Sequence, residues 1–465
     1  MIRRRTFVRA TLFILFLTVP AVAREEKSWQ AGVAKVNITP QQFMPMAGYA
    51  SRGAGHAQEK LTDLWVKALV LQDPDGRRAV LVSLDVIGLD RGLSASICES
   101  LQNRCELQRE QIALCASHTH TAPVVARNLR PMHYMLLDAA NRKLVDEYAA
   151  FLQQRVIAVV NEAIEDLEPA RLCWGSGTAT FAVNRRNNPA AQVPQLRQEG
   201  KLRGPQDHDV PVLAVKDIDG DLRAVVFGYA CHCTVLSSYQ WSGDYAGFAQ
   251  IEVEEAHPDC IALFWAGCGA DQNPLPRRSV ALARQYGREL GDAVSAVLHG
   301  PMQPVAGALK TTYREVDLLL AELPSREQLQ QDTESKNKYV AARAKYHLEQ
   351  VDAGKPLSQT YPYPIGVWRL GDQVTFVSLG GEVVVDFALR LKAELGDEKV
   401  KGTNVWVAGF TNDVMAYIPS ERVLKEGGYE GGGAMIYYGL PTVWATGVEG
   451  AVVEEVRRQV GGGGR

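Results

Sequence analysis

Gln111-Ile112-Ala113-Leu114-Cys115-Ala116-Ser117-His118-Thr119-His120 runs from a short apolar stretch into two histidines. The apolar part reads as a buried strand. Side chains two apart on a strand point to the same face, so His118 and His120 are expected side by side at its C-terminal end. Neutral imidazole is a common metal ligand, and the pair offers the start of a zinc site. The competing reading is a pair of solvated histidines at a strand end.

Working outward, residues 31–39 and 61–72 read as strands, and Asp73-Pro74-Asp75-Gly76 turns the chain into a strand over 78–85. Residues 91–104 have helical spacing. Residues 142–166 predict a long amphipathic helix, with Val145, Tyr148, Leu152, Val156 and Val159 near helical spacing. Segments 210–215 and 222–230 flank the turn Asp217-Ile218-Asp219-Gly220 as a hairpin that ends at Cys231-His232-Cys233. Residues 278–299 read as a helix. Residues 322–356, rich in charge and glutamine, read as a surface helical insertion or lid, with the plain surface role favoured. Strands over 365–370 and 373–379 run into Gly380-Gly381-Glu382, followed by a helix to about Leu395. A strand over 403–410 ends at Thr411-Asn412. No repeat or linker divides the chain. The alternation predicts an α/β protein of mixed β-sheets flanked by helices, in one large domain with a metal site at strand ends.

The first 23 residues have the layout of an export signal. Arg3, Arg4, Arg5 and Arg9 form a basic start, residues 10–19 an apolar core, and Ala21-Val22-Ala23 a cleavage site. The apolar core is too short for a comfortable membrane span. Arg4-Arg5-Thr6-Phe7-Val8 also resembles a twin-arginine signal, against the alternative of an ordinary arginine-rich secretory one. Either route places the mature chain in the periplasm or outside the cell. Removing the leader's four arginines moves the formal net charge of −3 four units further negative, which argues against nucleic-acid binding. No further stretch is long and apolar enough to span a membrane, which leaves access to a membrane surface open. Eight cysteines are too sparse for a disulfide scaffold, and the lack of a C-x-x-C pair argues against a cysteine-only zinc site. Cys98 and Cys105 are close enough in sequence to pair after export. A glycine-rich tail over 457–465 is expected to be disordered.

Four segments share one geometry, a strand that ends in a polar residue. They supply His118 and His120, His232, Glu382 and Tyr417. Strand ends on one rim of a sheet are where α/β proteins place their sites. Two histidines, a glutamate and a tyrosine oxygen would make a catalytic zinc shell with room for water. On the residues alone this set is one of several pairings.

The ordered motifs resemble the catalytic domain of the neutral/alkaline, non-lysosomal ceramidase family over about 31–456. The opening Ala31-Gly32-Val33-Ala34-Lys35-Val36-Asn37-Ile38-Thr39 and Met46-Ala47-Gly48-Tyr49 are similar to its N-terminal strand and Met-Gly-Tyr segment. Ser117-His118-Thr119-His120-Thr121-Ala122-Pro123 is similar to its S-H-T-H-S-G-P. Val183-Asn184-Arg185, Ala230-Cys231-His232, Ser242-Gly243-Asp244, Gly381-Glu382, and Tyr417 with Tyr429 fall where further motifs lie. The resemblance implies that His118, His232, Glu382 and Tyr417 hold zinc. It implies that His120 acts as general base and acid, and that Arg185 and Tyr429 bind the amide carbonyl; Arg186 leaves that choice one residue open. Asp244 is read as orienting a ligand histidine or as capping a helix.

The family's substrate-facing serine has no counterpart. The corresponding stretch is Gly269-Ala270-Asp271-Gln272-Asn273-Pro274, so Asp271, Gln272 or Asn273 is expected to face the substrate. The family's immunoglobulin-like C-terminal domain is expected to have no counterpart in this sequence either. The resemblance thus implies a zinc-dependent hydrolase cleaving an N-acyl amide, a ceramide-like lipid, through metal-activated water. Its rivals are a zinc amidase or esterase on a polar, non-lipid substrate, and a non-catalytic binding protein that retains the metal shell.

Overall fold

The computed structural model describes residues 28–396 and 404–462. The expected export leader, residues 1–23, lies outside them, as do residues 463–465 of the expected tail. The last helix, Val448–Val460, takes residues 457–460 out of that tail.

Two β-sheets lie face to face. In the nine-stranded sheet, Trp29–Asn37 pairs with Trp65–Gln72, which continues to Arg78–Leu84 and Ile112–Ala116. On its other side stand Glu168–Thr178, Asp209–Lys216, Leu222–Tyr229 and Ile261–Ala266, with Gln303–Val305 alongside Glu168–Thr178. The four-stranded sheet is built from Leu309–Leu319, Thr360–Leu370, Val374–Leu379 and Val405–Ala408, in that order. Strand period sorts the side chains. Leu69, Leu71, Leu81, Leu213, Leu263 and Trp265 of the larger sheet meet Trp368, Leu370, Phe376 and Trp406 of the smaller one in a core of their own. The alternate residues, such as Val66, Val82, Val225 and Phe264, face the helices. Mixed sheets flanked by helices are therefore what the chain forms, with sheet-on-sheet packing in the middle.

The helix Ala139–Glu165 packs on the strands beginning at Trp29 and Trp65. Its buried face holds Val145, Tyr148, Leu152, Val156 and Val159, and Asp138 caps it through the amide of Asn141. The charged segment forms two helices, Arg326–Asp332 and Lys338–Asp352, packed on each other. All eight cysteines are free. Cys98 and Cys105 share the helix Arg91–Cys105, and seven residues of helix put them about 10 Å apart, beyond disulfide reach.

Three parallel strand pairs, each joined through a helix, aim their C-terminal ends at one place. They are Arg78–Leu84 with Ile112–Ala116, Leu222–Tyr229 with Ile261–Ala266, and Val374–Leu379 with Val405–Ala408. The first two belong to the large sheet and the third to the small one. A clasp joins the sheets there. Ile112–Ala116 is an edge strand, and the loop after Val405–Ala408 covers its open side. The Asn412 amide donates to the Leu114 carbonyl at 2.8 Å, and the Leu114 amide donates to Asn412 Oδ1 at 3.1 Å. Asn412 takes a φ of 65°, which asparagine tolerates better than most residues.

Replacing that side chain leaves the buried Leu114 amide without an acceptor. Asn412→Ala is expected to lower the unfolding free energy by about 2 kcal/mol in a urea titration. A variant as stable as the parent would show that the clasp contributes nothing to joining the sheets.

Candidate metal centre

The chain leaves Ile112–Ala116 before it reaches the histidines, so strand period does not set their relation. His118 adopts a φ of 59°, a left-handed turn that costs energy in a non-glycine residue. The turn brings the two Nε2 atoms to 3.1 Å with the rings nearly perpendicular. The His118 amide donates to the Val86 carbonyl, and the His232 amide to that of Gln272. Each loop is thus tied down at the histidine itself. Gly48 lies over His120: a Cβ there would sit 2.6 Å from the imidazole, so only glycine lets this loop close on the ring.

His118 Nδ1 donates to the Ile87 carbonyl at 2.6 Å, and His232 Nδ1 to the Gly269 carbonyl at 2.7 Å. Those bonds fix the tautomer and leave each Nε2 with a bare lone pair. Both lone pairs face Glu382 Oε2, at 3.4 Å from His118 and 3.1 Å from His232. Tyr417 Oη is 3.4 Å from His232 Nε2. Glu382 Oε1 accepts from Tyr438 Oη, whereas Oε2 is buried without a hydrogen-bond donor. Burial opposes charge on Glu382; protons on His118 and His232 would hold its carboxyl well below the usual range, but the tautomers set by the two backbone bonds supply none. Burial, then Arg185, pushes His232 down to about 4. Burial, then His118 and His232, pushes His120 well down.

An ionised carboxylate facing lone pairs rather than protons fits a bound cation. The ligating atoms of His118, His120 and His232 lie within 4.8 Å of one another, so a divalent metal ion can be held there.

Glu382 and Tyr417 do not sit at the ends of long strands. They face each other across a separate parallel pair of two-residue strands, Glu382–Val383 and Tyr417–Ile418. Arg185, not Arg186, reaches the centre: its Nη2 donates to Tyr417 Oη at 3.1 Å, its Nε to Glu430 at 2.7 Å and its Nη1 to Asn273 Oδ1 at 3.3 Å. Arg186 turns outward to Glu426 and Glu430. The half-exposed Tyr429 ring lies 5.2 Å from the ring of Tyr417. Burial, then Glu382, pushes the Tyr417 phenol well above its ordinary range, with Arg185 opposing.

Of the three residues expected to face the substrate, only Asn273 lines the cavity beside the centre, which measures about 540 Å³. These residues sit at a short strand, Gln272–Pro274, paired to Ala182–Asn184, so neighbours point to opposite sides. Gln272 turns to the Pro205 carbonyl. Asp271 accepts from Asn184 Nδ2 and from the Val385 amide at the start of a helix. Asp244 makes no hydrogen bond or ion pair with a histidine among the described residues. It begins the helix Asp244–Ala256, and its carboxylate accepts from the amides of Val235, Leu236 and Tyr245, which secures the loop after His232. Burial raises its pKa to about 6 against those bonds. Tyr438 and Glu430 were given no role by the sequence. Nothing local marks them, since each acts on a partner more than fifty residues away.

If the centre binds metal, adding zinc to chelated protein raises the unfolding midpoint, by about 2.7 kcal/mol of stability at a hundredfold excess over Kd. His118→Ala and His232→Ala are expected to abolish the shift. An unchanged shift in both variants would place the metal elsewhere.

A family model described as neutral/alkaline non-lysosomal ceramidase, N-terminal, matches residues 29–263. The neutral ceramidase of Drosophila melanogaster is 24% identical over 326 residues, 68% of this chain and 42% of the relative. Neutral ceramidase 2 of Arabidopsis thaliana is 28% identical over 257 residues, 52% of this chain and 32% of the relative. The chain therefore spans less than half the length of these curated relatives. Among solved structures, neutral ceramidase from Pseudomonas aeruginosa superposes with a TM-score of 0.68 at 18% identity, covering 93% of this chain and 74% of that one. A ceramidase complexed with C2 gives 0.70 at 17%, covering 92% and 74%. The shared fold and a family match across half of its length agree: the chain belongs to the neutral/alkaline non-lysosomal ceramidase family.

Proposed function

We propose that this chain is a zinc-dependent hydrolase that cleaves an N-acyl amide with metal-activated water, its substrate a ceramide-like lipid. The observation that carries the reading is the Glu382 Oε2 oxygen, buried without a donor and facing two bare imidazole nitrogens. His118, His232, Glu382 and Tyr417 would hold the ion. When bound, zinc supplies Lewis acidity that makes water nucleophilic near neutral pH.

His120 differs from the two anchored imidazoles. Its Nδ1 has no hydrogen-bond partner, so no carbonyl fixes its tautomer. Burial, then His118 and His232, keep it neutral, so that a ring lone pair is open to a proton, though as a weaker base than a free imidazole. It would take the proton of the attacking water and deliver one to the leaving amine. Arg185 stands beside Tyr417 with Tyr429 at the rim, and the two would stabilise the oxyanion as it forms; one such donor is worth about 3 kcal/mol.

The hydrolase unit is taken as residues 31–456 behind an export leader at 1–23. No helix among the described residues is long and apolar enough to cross a membrane, and a lipid substrate would be met at a membrane surface. A second reading, an amidase or esterase acting on a polar, non-lipid substrate, is favoured by the four arginines that line the cavity.

His120→Ala is expected to keep about one zinc per chain while kcat falls roughly 100- to 10,000-fold. Full turnover in this variant would remove its acid–base role, and loss of zinc would make it a ligand. Arg185→Gln should lower kcat about 100-fold with metal content unchanged. Fatty-acid release from labelled ceramide, set against short acyl amides and esters, separates the lipid from the polar reading.

A further inference from the structure

The cavity beside the centre holds more positive charge than amide hydrolysis uses. Arg185, Arg186, Arg277 and Arg278 line it, and Glu430 is the one carboxylate on its wall among the described residues. Glu430 is already engaged, 2.7 Å from both Arg185 and Arg186. Arg277 and Arg278 have no carboxylate within 4.0 Å among the described residues. The half-buried Arg277 guanidinium also makes no hydrogen bond among them. The nearby acid, Asp244, is turned to three backbone amides. Burial and then Arg278 pull the Arg277 guanidinium below its ordinary range, as expected of adjacent like charges without a counterion.

Arg278, the exposed member of the pair, is held in position. Arg278 holds a φ of 93°, kept there by its amide bond to the Val235 carbonyl at 2.7 Å. A non-glycine residue in that region is held by its surroundings, and such positions cluster at ligand clamps. Its Nη1 donates to Tyr49 Oη at 2.8 Å, with the guanidinium 4.9 Å from the Tyr49 ring centre. The Tyr49 ring lies 4.9 Å from that of His120. Arg185 and Tyr429 are the groups assigned to the carbonyl, whereas Arg278 connects through Tyr49 to His120, the group assigned to the leaving amine.

We propose that the amine half of the substrate carries an anionic oxyacid group, a carboxylate, sulfonate or phosphate, bound by Arg277 and Arg278. This rests on the amide-hydrolase reading above. It shifts the substrate class from a neutral ceramide toward N-acylated amino acids and their sulfonate and phosphate analogues.

The test compares N-dodecanoyl glycine, its neutral glycinamide counterpart and ceramide on the zinc-loaded full chain. N-dodecanoyl taurine and N-dodecanoyl phosphoethanolamine run in parallel to distinguish the three anions. The best anionic amide should exceed the neutral one by about 10- to 100-fold in kcat/KM, mostly through KM. In the double variant Arg277→Gln/Arg278→Gln the ratio should fall toward one. A second measurement needs no turnover: calorimetric binding of N-dodecylsulfonyl glycine against its glycinamide analogue, with the carboxylate's advantage shrinking as salt is added. Cleavage of neutral amides without preference for any anion overturns the arginine site and leaves amide hydrolysis standing. If no amide is cleaved, the hydrolase reading falls and the sulfonamide pair still decides the arginines: equal binding refutes them, and a carboxylate advantage lost in the double variant supports them.

Discussion

A buried carboxylate oxygen without a proton donor governs the site. Glu382 Oε2 is surrounded by imidazole nitrogens whose own protons are directed at the Ile87 and Gly269 carbonyls. Near neutral pH, His232, with a pKa of about 4, brings no proton to it. Leaving such a charge unpaired in the interior costs several kcal/mol. The surroundings nevertheless keep it in place, with Tyr438 bonded to its other oxygen and Tyr417 directly across a strand pair. A cation shared among these atoms would resolve the conflict, and the hydrogen bonds behind the imidazoles hold them in the orientation it would need.

That arrangement depends on where the two sheets meet. His118 and His232 leave strands of the large sheet, whereas Glu382 follows a strand of the small one. Neither sheet could assemble the centre alone. The Asn412 clasp and the bridge between Gly267 and Ala408 hold the two sheets in register near their strand ends. Stability of the seam and geometry of the centre are therefore one property of the fold.

Strong periodicity made much of this legible. The long helix, the hairpin ending at His232 and the strand before His118 all carry uninterrupted apolar patterns. The central strand Glu168–Thr178 escaped because Gly175 and Gly177 look like breakers. In the fold they are required by close packing: a Cβ at Gly175 would lie 2.7 Å from Val297, and one at Gly177 would lie 2.8 Å from the Ala293 carbonyl. The residues read from the sequence as ligands converge in the structure, but the reason offered for the histidine pair was not the operative one. A left-handed turn at His118, invisible to a period-two pattern, brings His120 back to it. Gln272 was placed at the cavity for want of the short strand that turns it away and presents Asn273 instead.

The three imidazoles share a cluster but not a hydrogen-bonding condition. Two are locked through Nδ1 to backbone carbonyls, which serves a ligand that must keep one lone pair on one target. The third has an unpartnered Nδ1 and is confined by shape, with Gly48 pressed against its ring and Tyr49 beside it. Its Nε2 lies 3.1 Å from the bare Nε2 of His118 and carries the hydrogen between them, which leaves the free lone pair on Nδ1. The same loop that confines His120 also carries the Tyr49 hydroxyl to Arg278. The His120 ring and the charge at the cavity wall thus meet on one short loop, Met46-Ala47-Gly48-Tyr49, whose close approach to the imidazole only glycine permits.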